Sequence, residues 1–193
     1  MSGRSGALPR AFYDRETELV ARELLGAVLE PRAGGTVTRG RIVETEAYLG
    51  EHDPACHAAA GRTTRTEPLY GAPGTAYVYF IYGMHWCVNA VTRGVGLPSA
   101  VLIRAVEPIA GIERMRTRRP RARDDRSLCD GPAKLCEAFA IGEKQNGADL
   151  TRGPLRILSG EPVPDRLVRR GARIGISRAR DWPLRWVVAR DGA

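Results

Sequence analysis

The spacing of apolar residues changes period several times along the chain, and each change marks an element. Met1 to Pro9 is small and polar and is expected to fray. A helix is expected over roughly residues 15–25, where Val20 with Leu24 and Ala21 with Leu25 supply the i,i+4 pairs of an apolar face. Asp14 reads as its cap and Gly26 as its stop. Ala27 to Glu30 and Arg41 to Tyr48 then read as strands on either side of a Gly34-Gly35 turn. His52 to Pro73 keeps no period and carries Gly61, Pro68, Gly71 and Pro73, so it reads as a long loop of the kind that often carries function. Strand-like runs resume at Tyr77–Ile81, Trp86–Val91 and Ala100–Ala105. A helix begins near Gly111, and another opens at Asp130-Gly-Pro-Ala-Lys134, with Asp130 as cap, Pro132 in the first turn and Leu135, Ala138 and Phe139 facing inward. From Thr151 the tail holds short strands such as Arg173 to Ile176 and Leu184 to Val188. Strands interspersed with a few helices, in 193 residues, describe a single mixed α+β domain with its own core.

The stretch from Tyr77 to Val91 is the most distinctive. Its two halves are β-branched and aromatic, and Gly83 between them supplies the positive φ that a tight hairpin turn requires. The tip residues Tyr82, Met84 and His85 are bulky, where a solvent-facing turn favours small polar side chains. Either the tip folds back onto the protein's own core, or its aromatic residue is a wedge that enters another molecule. The hairpin alone leaves both open.

Charge narrows the choice of partner. Thirty Lys and Arg against twenty-two Asp and Glu give a net +8 and a pI near 9.8, which suits a polyanion such as nucleic acid or an anionic membrane. Cys56, Cys87, Cys129 and Cys136 form no C-x-x-C pair and no dense framework, which argues for reduced thiols. No apolar run approaches the length of a spanning helix and the amino terminus lacks a signal-peptide core, so a soluble cytoplasmic protein without a membrane partner is expected, nucleoid-associated if bacterial; a monomer is expected as well. The basic run at 116–123, extended to a basic loop over 116–126, reads first as a solvated mobile segment and second as a phosphate-contacting arm.

Candidate chemistry concentrates in Arg41-Ile-Val-Glu-Thr-Glu-Ala-Tyr-Leu-Gly50. In a strand, Ile42, Glu44, Glu46 and Tyr48 share one face. The two carboxylates either point to water from an edge strand or include a general base beside an aromatic platform, and alternation does not choose between Glu44 and Glu46. His52, Asp53, Cys56 and His57 lie close in sequence, but their spacing fits no metal-ligand pattern, and no metal or other cofactor is expected. No Ser-His-Asp order, phosphate-cradling loop or dinucleotide fingerprint is present.

Taken in order, these residues are specific. Glu44-Thr-Glu-Ala-Tyr-Leu-Gly50 is followed by His57, Pro73-Gly-Thr-Ala-Tyr-Val-Tyr79, Tyr82-Gly-Met84, Asn89, Leu102-Ile-Arg-Ala-Val-Glu-Pro108 and Gly131-Pro-Ala-Lys-Leu-Cys136. The set resembles the alkyladenine (3-methyladenine) DNA glycosylase family, the monofunctional type that also occurs in vertebrates, from about Leu8 to Trp186. The resemblance implies a curved antiparallel sheet with few flanking helices and a protruding hairpin at about 77–91. It implies base-excision repair of double-stranded DNA: a damaged purine is flipped out and its glycosidic bond hydrolysed, leaving an abasic site uncut. Glu46 takes the position of the catalytic glutamate that deprotonates water, and Arg104 that of the arginine that positions the water. Tyr48, His57 and Tyr79 match residues that hold the flipped base, and Asn89 one that crowds the amine of normal guanine. Tyr82, with Met84, matches the intercalating tip. Lys134, Arg116, Arg118 and Arg119 are the candidate phosphate contacts. His85 stands where many relatives carry an aromatic residue, and residues 58–72 diverge. A nucleic-acid binding module without catalysis would explain the charge and aromatics equally well, but it would have no use for a carboxylate at Glu46 beside Arg104. An RNA- or nucleoside-directed hydrolase is the other rival.

Overall fold

The computed structural model describes residues 6–33 and 36–189, so the Gly34-Gly35 turn lies outside the described residues. Within them nine strands, all paired antiparallel, make one sheet: β1 (Val28–Ala33), β2 (Thr36–Val37), β3 (Arg39–Tyr48), β4 (Ala76–Ile81), β5 (His85–Thr92), β6 (Ser99–Ala110), β7 (Leu155–Leu158), β8 (Val168–Gly171) and β9 (Arg185–Val188). The main path runs β2-β1-β3-β6-β5-β4. Among the same residues four α-helices flank it: α1 (Arg10–Tyr13), α2 (Thr17–Glu23), α3 (Ile112–Arg118) and α4 (Pro132–Phe139). The result is the single α+β domain expected from the pattern.

Strand β3 is the hinge of the architecture. One edge pairs with β6 along its length, and the other is shared, by β1 near Arg41 and by β9 over Glu44–Glu46. The β3–β6 register slips between Ile42 and Glu44 and again between Glu44 and Thr45. A one-residue slip moves later side chains to the opposite face. Ile42 therefore packs in the main core, and so do Thr45 and Ala47 beyond the slip, with the Thr45 hydroxyl donating to Ala21 O. The face expected to be common to Ile42, Glu44, Glu46 and Tyr48 is thus broken after Ile42, and only the last three stay together.

Strict alternation along the other strands separates two cores. Ala76 and Val78, Val88 and Ala90, and Val101 and Ile103 join the helices in the large cluster. Tyr77, Val91 and Ala100, from the opposite face, join Cys56, Ala58, Leu69 and Tyr70 in a smaller one, against which Tyr48 and Tyr79 pack. The long loop after β3 covers this second face with two 3-10 turns, His57–Ala60 and Glu67–Tyr70.

Several local expectations are corrected. Asp14 is not the α2 cap: the short α1 consumes it as a C-terminal residue, its amide bonding to Arg10 O, and Glu16 precedes α2 without a side-chain cap. Gly26 does end the helix region, at φ +90°, where an added Cβ would lie 2.1 Å from Glu161 O. Ala7 and Leu8 are not frayed, because they bond to β7 at Leu158 and Ile157. Gly131, not Asp130, caps α4; Asp130 instead accepts from Lys134 Nζ at 2.7 Å. Arg116 and Arg118 belong to α3 and not to a loop. Strands β7 and β8 carry no clear sequence signal, and Arg173–Ile176 is not a strand but an irregular segment whose Ile174 amide bonds to a side chain.

Candidate active site

Cross-strand register assembles the site. Glu46 stands opposite Leu102, Leu102 opposite Asn89, and Asn89 opposite Tyr77, so one row crosses four strands on the face away from the helices. Period two adds Tyr48, Arg104, Cys87 and Tyr79 to the same face. Above this floor lies a cavity of about 660 Å³, walled by the 54–60 loop, by Pro132 and Ala133 at the start of α4, and by residues 174–178. Tyr48, His57, Tyr79, Tyr82, Asn89 and Arg104 all line it. Met84 is exposed beyond its rim.

Glu46 lies one layer deeper. Its side chain is fully buried behind Tyr48 and Arg104. Its Oε2 accepts from the Tyr48 hydroxyl at 2.9 Å, and its Oε1 accepts from the Ile174 amide at 2.8 Å and lies 3.2 Å from Arg104 Nη1. Burial pushes the Glu46 carboxyl above its ordinary range, against the pull of the Arg104 charge, the Ile174 amide and the Tyr48 hydroxyl. A carboxylate offers about four acceptor directions, so these three donors leave roughly one free on Oε2. Arg104 also donates to Glu44 Oε1 at 2.9 Å, which Arg185 shares at 3.1 Å. Arg104 thus bridges both carboxylates, and the ambiguity between them is one of burial: Glu44 leans on a second arginine, while Glu46 has the enclosed position.

The aromatic walls are mutually braced. The His57 and Tyr79 rings meet edge to face at 4.5 Å, and His57 Nδ1 and the Tyr77 hydroxyl share a hydrogen bond of 2.9 Å. Burial, and then the nearby Arg65 charge, lower the His57 pKa, so the ring is neutral near pH 7. Burial likewise pushes the Tyr48 and Tyr79 hydroxyls far up. Asn89 Nδ2 donates to Tyr77 O at 3.1 Å, which fixes the amide in the floor of the cavity that Asn89 lines. Sequence reasoning misses Tyr77 as a site residue, although its place two before Tyr79 puts it on the same face. It also misses Arg65, 5.6 Å from the Tyr79 ring centre, inside the unpatterned loop.

At the hairpin tip, Tyr82 is 77% exposed, so the tip does not fold back onto the core. Both Tyr82 (φ 54°) and Gly83 (φ 68°) occupy the left-handed region, the requirement of a tight primed turn. A tyrosine there is strained. Tyr82→Asn, which tolerates this conformation, is expected to raise unfolding free energy by about 1 kcal/mol. Denaturant melts check the effect; a destabilised variant would contradict the strain.

The candidate phosphate contacts are engaged with the protein itself. Arg116 pairs with Glu113 and Asp125, Arg118 donates to Ala138 O, and Arg119 donates to Glu137 and to the Ser127 and Leu128 carbonyls. Among the described residues no group of three His, Cys, Asp or Glu side chains converges as a metal site; Asp53 is taken up by Arg173. No helix among them is long and apolar enough to cross a membrane.

Comparison with known proteins gives the family. A family model described as Methylpurine-DNA glycosylase (MPG) matches residues 11–192. The chain is 50% identical over 184 residues to a "Putative 3-methyladenine DNA glycosylase" of Myxococcus xanthus, covering 93% of this chain and 89% of that one. It is 49% identical over 180 residues to a protein of the same description from Carboxydothermus hydrogenoformans, covering 93% of each chain. A third, from Methanocella arvoryzae, is 49% identical over 179 residues, covering 92% of this chain and 88% of that one. A family model matched across nearly the whole chain, and relatives at about half identity over most of both lengths, show that the chain belongs to the methylpurine-DNA glycosylase family.

Proposed function

We propose that this protein is a DNA N-glycosylase that extrudes alkylated or deaminated purines from duplex DNA and hydrolyses the N-glycosidic bond with water activated by Glu46. The observation that carries the reading is the buried Glu46–Arg104 pair directly behind an aromatic cavity, with an exposed tyrosine at the adjoining hairpin tip. A flipped purine fits between the faces of Tyr48 and Tyr79 and the ring of His57, and a cationic alkylated ring gains further attraction from those aromatic faces. Asn89 on the cavity floor crowds the exocyclic amine of normal guanine. Tyr82 fills the gap left in the duplex.

In the reaction, water bound at the free acceptor position of Glu46 attacks the sugar C1′. The bond from C1′ to the base nitrogen breaks, its electron pair leaves with the base, and Glu46 takes the proton from water. A purine alkylated at N3 or N7 already carries positive charge and departs neutral, whereas hypoxanthine or ethenoadenine departs with the bond's electron pair as an anion and takes its proton from solvent. Because Glu46 must be ionised to act and its carboxyl is held above the ordinary range, the single-turnover rate is expected to rise with pH along a limb lying above that of a free glutamate.

The test is release of free base from duplex DNA containing 3-methyladenine, hypoxanthine or ethenoadenine, followed by chromatography of the base and by gel analysis of the strand. Intact strands with abasic sites are expected. The chain has two lysines, Lys134 and Lys144, and Lys134 is held by Asp130, so borohydride is expected to trap no enzyme–DNA adduct. A trapped adduct or spontaneous nicking in step with base release would overturn the simple hydrolytic scheme.

A further inference from the structure

Behind the cavity lies an ion pair that the hydrolytic scheme does not use. Arg173 and Asp53 are both fully buried at the side chain, and the pair is bidentate, with Arg173 Nη1 on Asp53 Oδ2 and Nη2 on Oδ1. The same Nη1 donates to Ala47 O at 3.0 Å, in the strand residue that follows Glu46. The guanidinium carbon sits 4.7 Å from the centre of the Tyr48 ring and 6.0 Å from that of Trp182. Asp53 also accepts from the Leu49 and Ala55 amides, which shapes the turn leading to His57. Burial would raise the Asp53 carboxyl, yet these amides and Arg173 hold it below the usual range, so it is a charged partner throughout the neutral pH range. The residue next to Arg173 is Ile174, whose amide donates to Glu46 and whose side chain lines the cavity.

An isolated surface loop has no need of such an anchor. A buried ion pair adds little net stability, because desolvation offsets attraction, and its best-attested use is to specify one arrangement. Here the arrangement specified is the position of the 173–178 segment against β3.

We propose that Arg173, locked onto Asp53, is the positioning residue that holds the Ile174 amide on the Glu46 carboxylate and the Tyr48 ring in the cavity wall. The proposal rests on the reading of Glu46 as general base. Without the lock the segment shifts and Glu46 loses the Ile174 hydrogen bond and the nearby Arg173 charge. Arg104 and the Tyr48 hydroxyl still favour its ionised form, but burial and the Glu44 charge oppose them with less to offset, so the balance moves toward the protonated acid, while Cys87 adds no charge as a thiol.

The experiment is the pH profile of single-turnover base release from hypoxanthine-containing duplex at saturating enzyme. Three proteins are compared: the full chain, the paired variant Asp53→Asn with Arg173→Met, and Arg173→Lys. Removing both charges together avoids leaving one buried and unpaired. The acidic limb of the paired variant is expected to move up by about one pH unit, so release at the acidic end falls about tenfold more than on the alkaline plateau. Arg173→Lys keeps the charge but loses the bidentate geometry, and its limb is expected to move the same way by less. A uniform fall at every pH with the limb unmoved would overturn the proposal, since a merely structural pair lowers the rate without altering the carboxyl. If the paired variant does not fold, Arg173→Lys decides on the same criterion. Glu46→Gln distinguishes the two levels: full turnover by that variant sinks the general-base reading itself, whereas an inactive Glu46→Gln with an unmoved Arg173 limb sinks only the positioning role.

Discussion

Glu46→Gln is expected to lower single-turnover base release by about 10³-fold, the range of a lost general base, while keeping affinity for lesion-bearing duplex. The substitution is nearly isosteric. The amide oxygen still accepts from the Ile174 amide and Arg104, so the cavity walls keep their places. What is lost is proton acceptance from water. Stability supplies an independent check with a defined sign. Burial raises the Glu46 carboxyl, so the folded protein disfavours the ionised form relative to the unfolded chain. That group therefore contributes stability below the unfolded-state pKa, and the contribution is lost as pH rises through the folded-state pKa. Glutamine carries no such dependence, so the stability of the variant relative to the parent is expected to increase with pH across that window. Urea melts at a series of pH values measure it, and a difference that declines with pH would contradict the buried, destabilised carboxylate.

Arg104→Met has the next largest expected effect, and on both properties. It leaves Glu46 buried without its cation and leaves Glu44 with Arg185 as its remaining ion-pair partner. Removing one member of a buried charge cluster costs about 3 kcal/mol, because the uncompensated charge stays behind. Base release is expected to vanish with it, since Glu46 then takes up a proton and neither accepts from water nor holds it in place. Adding Glu46→Gln to Arg104→Met removes the carboxyl that must otherwise be protonated in place. The double variant is expected to recover about 1 kcal/mol over Arg104→Met alone, a coupling that a double-mutant cycle in urea reads directly. Strict additivity would mean that the two side chains do not share one electrostatic site.

Much of this site is legible in the sequence because it lies on strands. In β3 to β6 the period of two is strict beyond the slip at Ile42, so spacing alone puts Glu46 with Tyr48, and Tyr79 with Tyr77, on shared faces. The hairpin is equally plain, because Gly83 and the β-branched runs around it are local signals. Local signals fail where two elements compete for one residue. Asp14 has the makings of a cap for α2 but closes α1, and Asp130 those of a cap for α4 but pairs with Lys134. The basic run from Arg116 reads first as a solvated loop and second as a phosphate-contacting arm, yet Arg116 and Arg118 lie in α3, and acidic side chains and carbonyls from residues 113 to 138 bond Arg116, Arg118 and Arg119.

The sequence by itself determined the alternating strands, the charge, the tip with its oversized aromatic residue and the ordered motifs that carry the family likeness. Each depends on residues within a few positions of one another, where backbone geometry sets which side chains share a face. Only the tertiary structure decided which of the two glutamates is enclosed, because Glu44 and Glu46 are alike in period and differ in what covers them. Besides Tyr48 and Arg104, Glu46 is met by the Ile174 amide, more than a hundred positions away, next to Arg173, which Asp53 holds through a buried pair that no spacing rule connects. Burial and long-range pairing are properties of the packed chain, and it is these, acting on Glu46, that turn an ordinary carboxylate into one with a raised pKa behind an aromatic-walled cavity.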